Sequence, residues 1–142
     1  MKKIKASLLL VLMVTLLTSC SNSDDNSSSE ETNFNGSLIG TWLGETSSLN
    51  GQSLGKPDND IITFKSDNTV EFKYTGFGVN GQDISEFGKW TYVGKTLTIT
   101  WNDADPANKT YVLTLTELSS KNLKWETVIK GEGTLKESFI KK

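Results

Sequence analysis

The sequence predicts an all-β protein, a single eight-stranded antiparallel up-and-down barrel over residues 36–142. Three observations carry this reading. β-rich runs of alternating apolar and polar residues recur at short intervals, and clusters of Gly, Asn, Asp and Ser separate them. Beyond the first twenty residues, no window of helical length spaces its apolar residues at 3.6. All aromatic residues fall between Phe34 and Phe139, which marks the folded part.

The chain opens on a leader. Lys2, Lys3 and Lys5 precede a largely apolar run from Ala6 to Leu17, and Thr18 and Ser19 stand before Cys20, the only cysteine. A basic start, about a dozen apolar residues and a small-residue cleavage site make a secretory signal rather than a membrane span. Leu17-Thr18-Ser19-Cys20 resembles the lipobox of bacterial lipoproteins at all four positions. That resemblance implies removal of residues 1–19 and acylation of Cys20, the palmitate-bearing first residue of the mature chain. Two or more acyl chains hold a protein stably at a membrane, whereas one holds it only marginally. The alternative is an ordinary secreted protein in which Cys20 is a free thiol.

Residues 20–35 are expected to form a tether. From Ser21 to Asn33 no side chain is apolar, so the segment cannot bury enough surface to offset its ordering entropy. Such a chain spans roughly 20 Å. Asp24, Asp25, Glu30 and Glu31 resemble the export signal of surface-exposed lipoproteins in some Gram-negative lineages; otherwise they are a solvated spacer. The expected location is the cell envelope, as an outer-membrane lipoprotein of a Gram-negative bacterium facing the periplasm or the surface.

Composition excludes more than it assigns. Fifteen lysines oppose seventeen acids, and three of those lysines lie in the leader. No basic patch remains for a phosphate backbone, so nucleic acid is not an expected partner. With one cysteine there is no intramolecular disulfide. The chain has neither His nor Arg. It therefore lacks the usual proton shuttle, nucleophile–His arrangements, His-bearing zinc sites and bidentate anion clamps. No catalytic residues, metal or cofactor are expected, and the protein is read as a monomer that is not an enzyme.

The strands follow in order, near residues 38–45, 60–65, 69–75, 86–93, 96–101, 109–117, 122–130 and 134–141. Ser66-Asp67-Asn68, Gly94-Lys95 and Gly131-Glu132-Gly133 supply turns. Alternation assigns faces: Val70, Phe72 and Tyr74 point one way, as do Leu97, Ile99 and Trp101, then Tyr111, Leu113 and Leu115, then Leu123, Trp125, Thr127 and Ile129. Short sequential turns favour a closed meander over a sandwich, whose crossings need longer connections.

Gly40-Thr41-Trp42 shows the Gly-x-Trp that opens the first strand of lipocalins. With the hairpin Ile62–Thr69, Gly88-Lys89-Trp90, Leu97-Thr98-Ile99 and Leu115–Leu118, the ordered set resembles the compact lipocalin-like domains of bacterial lipoproteins over about residues 36–142. The resemblance implies that Gly40 and Trp42 pack the closed end of the barrel. In larger lipocalins a basic residue, usually Arg, stacks on that Trp; here only Lys141 or Lys142 can substitute. There is also no sequence for their carboxy-terminal helix after the last strand.

A barrel of eight strands is either filled by its own side chains or holds one small ligand. The first case makes it a structural or protein-interaction module; the second makes it a binder of a small apolar or amphipathic molecule. For the second, Phe77, Trp90, Trp101, Tyr111 and Trp125 are the candidate pocket. The loop Gly76–Ile84 reads either as a lid, through Phe77, Val79 and Ile84, or as a hairpin folded back on the core. The connection Thr46–Asn59 is expected to flank the same end. Asn102-Asp103-Ala104-Asp105-Pro106 invites a calcium reading but lacks ligands at Ala107 and Lys109, so a turn is expected. Asp83 and Glu86 match the glycosidase pattern only as a pair of carboxylates, and a solvated surface is the simpler reading.

Overall fold

The structure is a computed structural model that describes residues 36–142. The expected leader (1–19), the expected acylation site Cys20 and the expected tether (20–35) lie outside the described residues. The described residues form nine strands: β1 Gly40–Leu49, β2 Gln52–Gly55, β3 Ile61–Phe64, β4 Thr69–Tyr74, β5 Ile84–Val93, β6 Thr96–Trp101, β7 Thr110–Leu118, β8 Asn122–Ile129 and β9 Gly133–Lys141. All pairings are antiparallel. β1 and β3 to β9 pair in sequence, and β9 returns to β1, so eight strands close the barrel.

The ninth strand, β2, is the departure from expectation. It folds back on the far half of β1, pairing Leu49 with Gln52 and Ser48 with Ser53. Its residues are exposed throughout, so no alternation betrays it. Its turn does: Asn50 and Gly51 both take positive φ (51° and 81°), the geometry for which Asn-Gly is the preferred dipeptide. The Asn50 side chain then fastens this hairpin to the β8–β9 turn. Its Nδ2 donates to Glu132 O (2.8 Å) and its Oδ1 accepts from Thr134 N (3.0 Å). Gly133, at φ 124°, leaves the room; a Cβ there would collide with the Asn50 amide. Asn50→Ala is expected to lose about 1–2 kcal/mol, from two hydrogen bonds and an unfavourable positive φ. Urea unfolding at unchanged m-value measures it, and Asn50→Gly should recover the backbone share alone.

Beside an irregularity at Ser47/Ser48 in the β1–β2 pairing, two bulges in the barrel's own ladders reset the alternation. In β1 the register with β9 shifts between Gly44 and Thr46; Trp42 and Gly44 face inward before it, Ser47 after it. In β7 the register with β8 shifts between Leu115 and Glu117, so Leu113 and Leu115 give way to Leu118. An extra residue flips every side chain beyond it to the other face.

The apolar core fills one half of the barrel. Trp42, Ile62, Phe64, Leu97, Ile99, Leu113, Leu115 and Leu123 are buried there. Trp42 is fully buried; its Nε1 donates to Leu38 O (2.8 Å). Lys141 Nζ lies 4.9 Å from the centre of the Trp42 ring and donates to Ser37 O (3.1 Å). Lys141 thus takes the place expected for a basic residue at this end. Gly40 has φ 134°, and a Cβ on it would meet Lys141 Cε at 2.8 Å. This is the physical reason for Gly two residues before Trp: an unusual backbone angle and a side chain crossing close above it.

Candidate functional site

The other half of the barrel is not filled. A cavity of about 450 Å³ opens there, within the range of small-molecule sites. Its position follows from the strand ends. Tyr74 ends β4, Trp101 ends β6, Ile129 is the last residue of β8, and Tyr111 and Leu135 lie near the starts of β7 and β9; all line the cavity. The barrel is thus packed in one half and hollow in the other.

The floor is aromatic. Phe72 meets Trp101 edge-on at 4.9 Å between ring centroids and lies parallel to Trp125 at 6.4 Å. Trp125 packs on Phe139 at 4.5 Å. Opposite Trp101, Gly88 makes room: a Cβ there would stand 3.1 Å from the indole and 2.7 Å from Thr100 O.

One carboxylate sits deep in this apolar setting. Glu137, on β9, is only 7% exposed and lines the cavity. Its Oε2 accepts from Trp125 Nε1 at 2.7 Å. Burial holds its pKa above the usual carboxylate value; the Trp125 bond opposes that rise and the Asp58 charge adds to it. Tyr74 and Tyr111 are held well above the ordinary phenol value, chiefly by burial. Glu86 raises Tyr74 further by accepting its hydroxyl at 2.7 Å. Both phenols therefore stay protonated, and the Tyr74 hydroxyl is already spent on Glu86.

The expected site residues distribute as follows. Trp101 and Tyr111 line the cavity. Trp125 lies beneath it, through its contacts with Phe72 and Glu137. Trp90 belongs to the filled half, where it packs edge-on against Phe64 at 5.7 Å and its Nε1 donates to Lys65 O. It is on the inward face as alternation implies, but nearer the wrong end of β5, a distinction that period-2 reasoning cannot make. Phe77 is exposed beside the mouth, 6.0 Å from the Tyr74 ring.

The loop at Phe77 is neither lid nor core-packed hairpin. Phe77, Val79 and Ile84 are all exposed, and none lines the cavity. Polar bonds hold the loop in its own shape: Lys73 pairs with Asp83 at 2.6 Å, Asp83 Oδ1 accepts from Gly76 N, and Gly78 N donates to Gln82 O. The overhang comes instead from the connection after β1, where Leu54, Lys56, Asp58 and Asn59 border the cavity. Gly44 admits that segment, with Pro57 Cδ 3.0 Å from where its Cβ would be, and its N–H donates to Asp60 O at 2.8 Å.

The remaining motifs are structural. Asp105 caps a short 3₁₀ turn, Pro106–Asn108, accepting from Ala107 N at 2.9 Å. Among the described residues no group of three or more Asp, Glu, His or Cys is placed to hold a metal ion. Asp83 and Glu86 are engaged separately, with Lys73 and Tyr74. Glu137, the most distinctive residue of the cavity, escaped the sequence reading. Its signal was available: Leu135, Glu137 and Phe139 alternate along β9, which places an acid on the inward face.

A family profile described as a lipocalin-like domain matches residues 38–125. A lipocalin-like protein from Bacteroides uniformis superimposes with a TM-score of 0.60 at 20% identity, covering 74% of this chain and 98% of that one. An uncharacterized protein from Bacteroides eggerthii gives 0.57 at 15% identity, covering 75% and 100%. No curated protein matches significantly. The profile spans most of the barrel and the Gly40–Trp42 end, and the chain belongs to the lipocalin-like domain family.

Proposed function

We propose that this protein is a lipid-anchored envelope lipoprotein whose barrel binds one small apolar or amphipathic molecule, without catalysis. The observation that carries the reading is the cavity of about 450 Å³ in the unfilled half, floored by Phe72 and walled by Tyr74, Trp101 and Tyr111. Apolar walls with a few fixed polar groups are the usual composition of a small-molecule site. The lipobox-like Leu17–Cys20 and the wholly polar sequence after it support an anchor at the outer membrane.

The two halves of the proposal are tested separately. Cys20→Ser is expected to move the protein from the membrane to the soluble fraction; a variant that stays with the membrane overturns the anchor. The released protein, recovered from its host's envelope and sprayed under native conditions, is expected to carry a discrete added mass that denaturation removes. A bare mass, together with no uptake from a panel of lipids and hydrophobic dyes, would overturn ligand binding.

A further inference from the structure

The charge around the cavity is one-sided. Asp58, Glu86, Glu132 and Glu137 border it against a single ammonium, Lys56. The ion pairs shown lie elsewhere: Lys73 with Asp83, Lys124 with Glu117 and Lys136 with Glu126. Three of the four acids stand exposed at the rim, while Glu137 is buried below them. Between rim and floor the walls are aromatic. From these juxtaposed features we infer that the cavity selects an organic cation, an ammonium or guanidinium group carried on an apolar or aromatic body, with Glu137 as its counter-charge. This rests on the reading of the cavity as a ligand site and names the class of ligand.

The argument is one of desolvation. Any ligand that fills the cavity removes the water still reaching Glu137. An anionic ligand adds like-charge repulsion to that loss. A neutral apolar ligand leaves the carboxylate with one donor, Trp125 Nε1, so Glu137 must either stay charged and unbalanced or take up a proton, and either adds a cost that a cation avoids. A cation replaces the lost water with an opposite charge. The rings act in the same direction, because the faces of Trp and Tyr attract a desolvated cation. Trp101 is fixed edge-on against Phe72, so its orientation is preset. Glu137 is also held toward its protonated form by burial and by Asp58; a bound cation would draw it back to the carboxylate. The exposed acids Asp58, Glu86 and Glu132 supply a negative entrance that speeds cation approach and is screened by salt.

The test uses three probes that share a body and differ in charge: 4-phenylbutyltrimethylammonium, 4-phenylbutanol and 5-phenylpentanoate, titrated against the Cys20→Ser protein by following Trp fluorescence. The ammonium is expected to bind about tenfold more tightly than the alcohol, and the carboxylate more weakly than either. In Glu137→Gln, which keeps an acceptor for Trp125, the advantage of ammonium over alcohol should shrink about tenfold while the alcohol itself changes little. A second variant, Asp58→Asn with Glu132→Gln, leaves the floor intact. It is expected to weaken the ammonium about two- to threefold and to flatten its salt dependence. Equal binding of ammonium and alcohol, or preference for the carboxylate, overturns the inference and leaves the cavity a binder of another class. An unchanged advantage in Glu137→Gln overturns Glu137 as the counter-charge. If none of the probes binds, charge selection fails, and the native mass spectrum decides separately whether the cavity binds anything.

Discussion

Replacing Trp42 with Ala is expected to cost about 3–5 kcal/mol, the largest loss from any single side chain at the closed end. The indole is fully buried, so its removal forfeits the transfer free energy of a large ring and leaves a void that rigid strands cannot close. It also strips Leu38 O of the Nε1 donor at 2.8 Å and Lys141 of the ring beneath it. With Lys141 unseated, its bond to Ser37 O no longer fastens the segment before β1. A domain of this size has roughly 5–15 kcal/mol of stability, so the variant should melt on the order of 20 °C lower. The control is Lys141→Met, which keeps the aliphatic stem and removes only the cation, worth about 0.5–1 kcal/mol at an exposed site. Calorimetry that found the two variants equally unstable would show that Trp42 does not close this end.

Trp125→Phe is expected to destabilise by about 3 kcal/mol, combining lost volume with a carboxylate deprived of its donor. The second part depends on pH in a determinate direction. The folded-state pKa of Glu137 is raised by burial, so the folded protein holds that proton more tightly than the unfolded chain. Stability from this group is therefore greatest below the ordinary carboxylate pKa and is lost as pH rises through the raised value. In Trp125→Phe the opposing hydrogen bond is gone, so the decline should be larger and extend to higher pH. Glu137→Gln should abolish it and be at least as stable as the parent at neutral pH. Asp67, Asp83 and Glu117 act in the opposite sense. Their pKa values are lowered, by the Thr69 hydroxyl at Asp67, Lys73 at Asp83 and Lys124 at Glu117, so their contributions are lost as pH falls. Comparing urea midpoints of parent and variants from pH 4 to 8 isolates Glu137. Parallel curves would mean that its ionisation is not coupled to folding.

The Trp125–Glu137 pair shows how stability and the inferred role of the site oppose each other. A buried acid in an aromatic half-barrel costs stability that Gln or an apolar residue would restore. Its presence is accounted for if a ligand needs it.

Much of the barrel was legible because period-2 alternation is a local property. Leu97, Ile99, Leu113, Leu115 and Leu123 are buried as their spacing requires, and the turn glycines punctuate the strands. The Gly-x-Trp end was legible only through its resemblance to lipocalins; the Gly40 backbone angle and the Lys141 crossing that explain it appear in the structure. Less was legible where register or depth decides. Asn50-Gly51 announces a hairpin, yet β2 has no apolar face to confirm it. The bulges at Gly44/Thr46 and Leu115/Glu117 change parity without changing composition.

By itself, then, the order of residues determined an all-β chain and its inward faces, because each depends on neighbours a few positions apart; the end under Trp42 was legible only through the Gly-x-Trp resemblance. Only the tertiary structure decided that Trp101 and Tyr111 border a void while Trp90 packs, half-buried, against the core of the filled half. It also decided that Asp58, Glu86, Glu132 and Glu137, drawn from two strands and two connections, share one cavity. Depth along a barrel and the meeting of distant strands depend on closure, and closure is set by pairings nearly a hundred residues apart, such as Trp42 with Lys141.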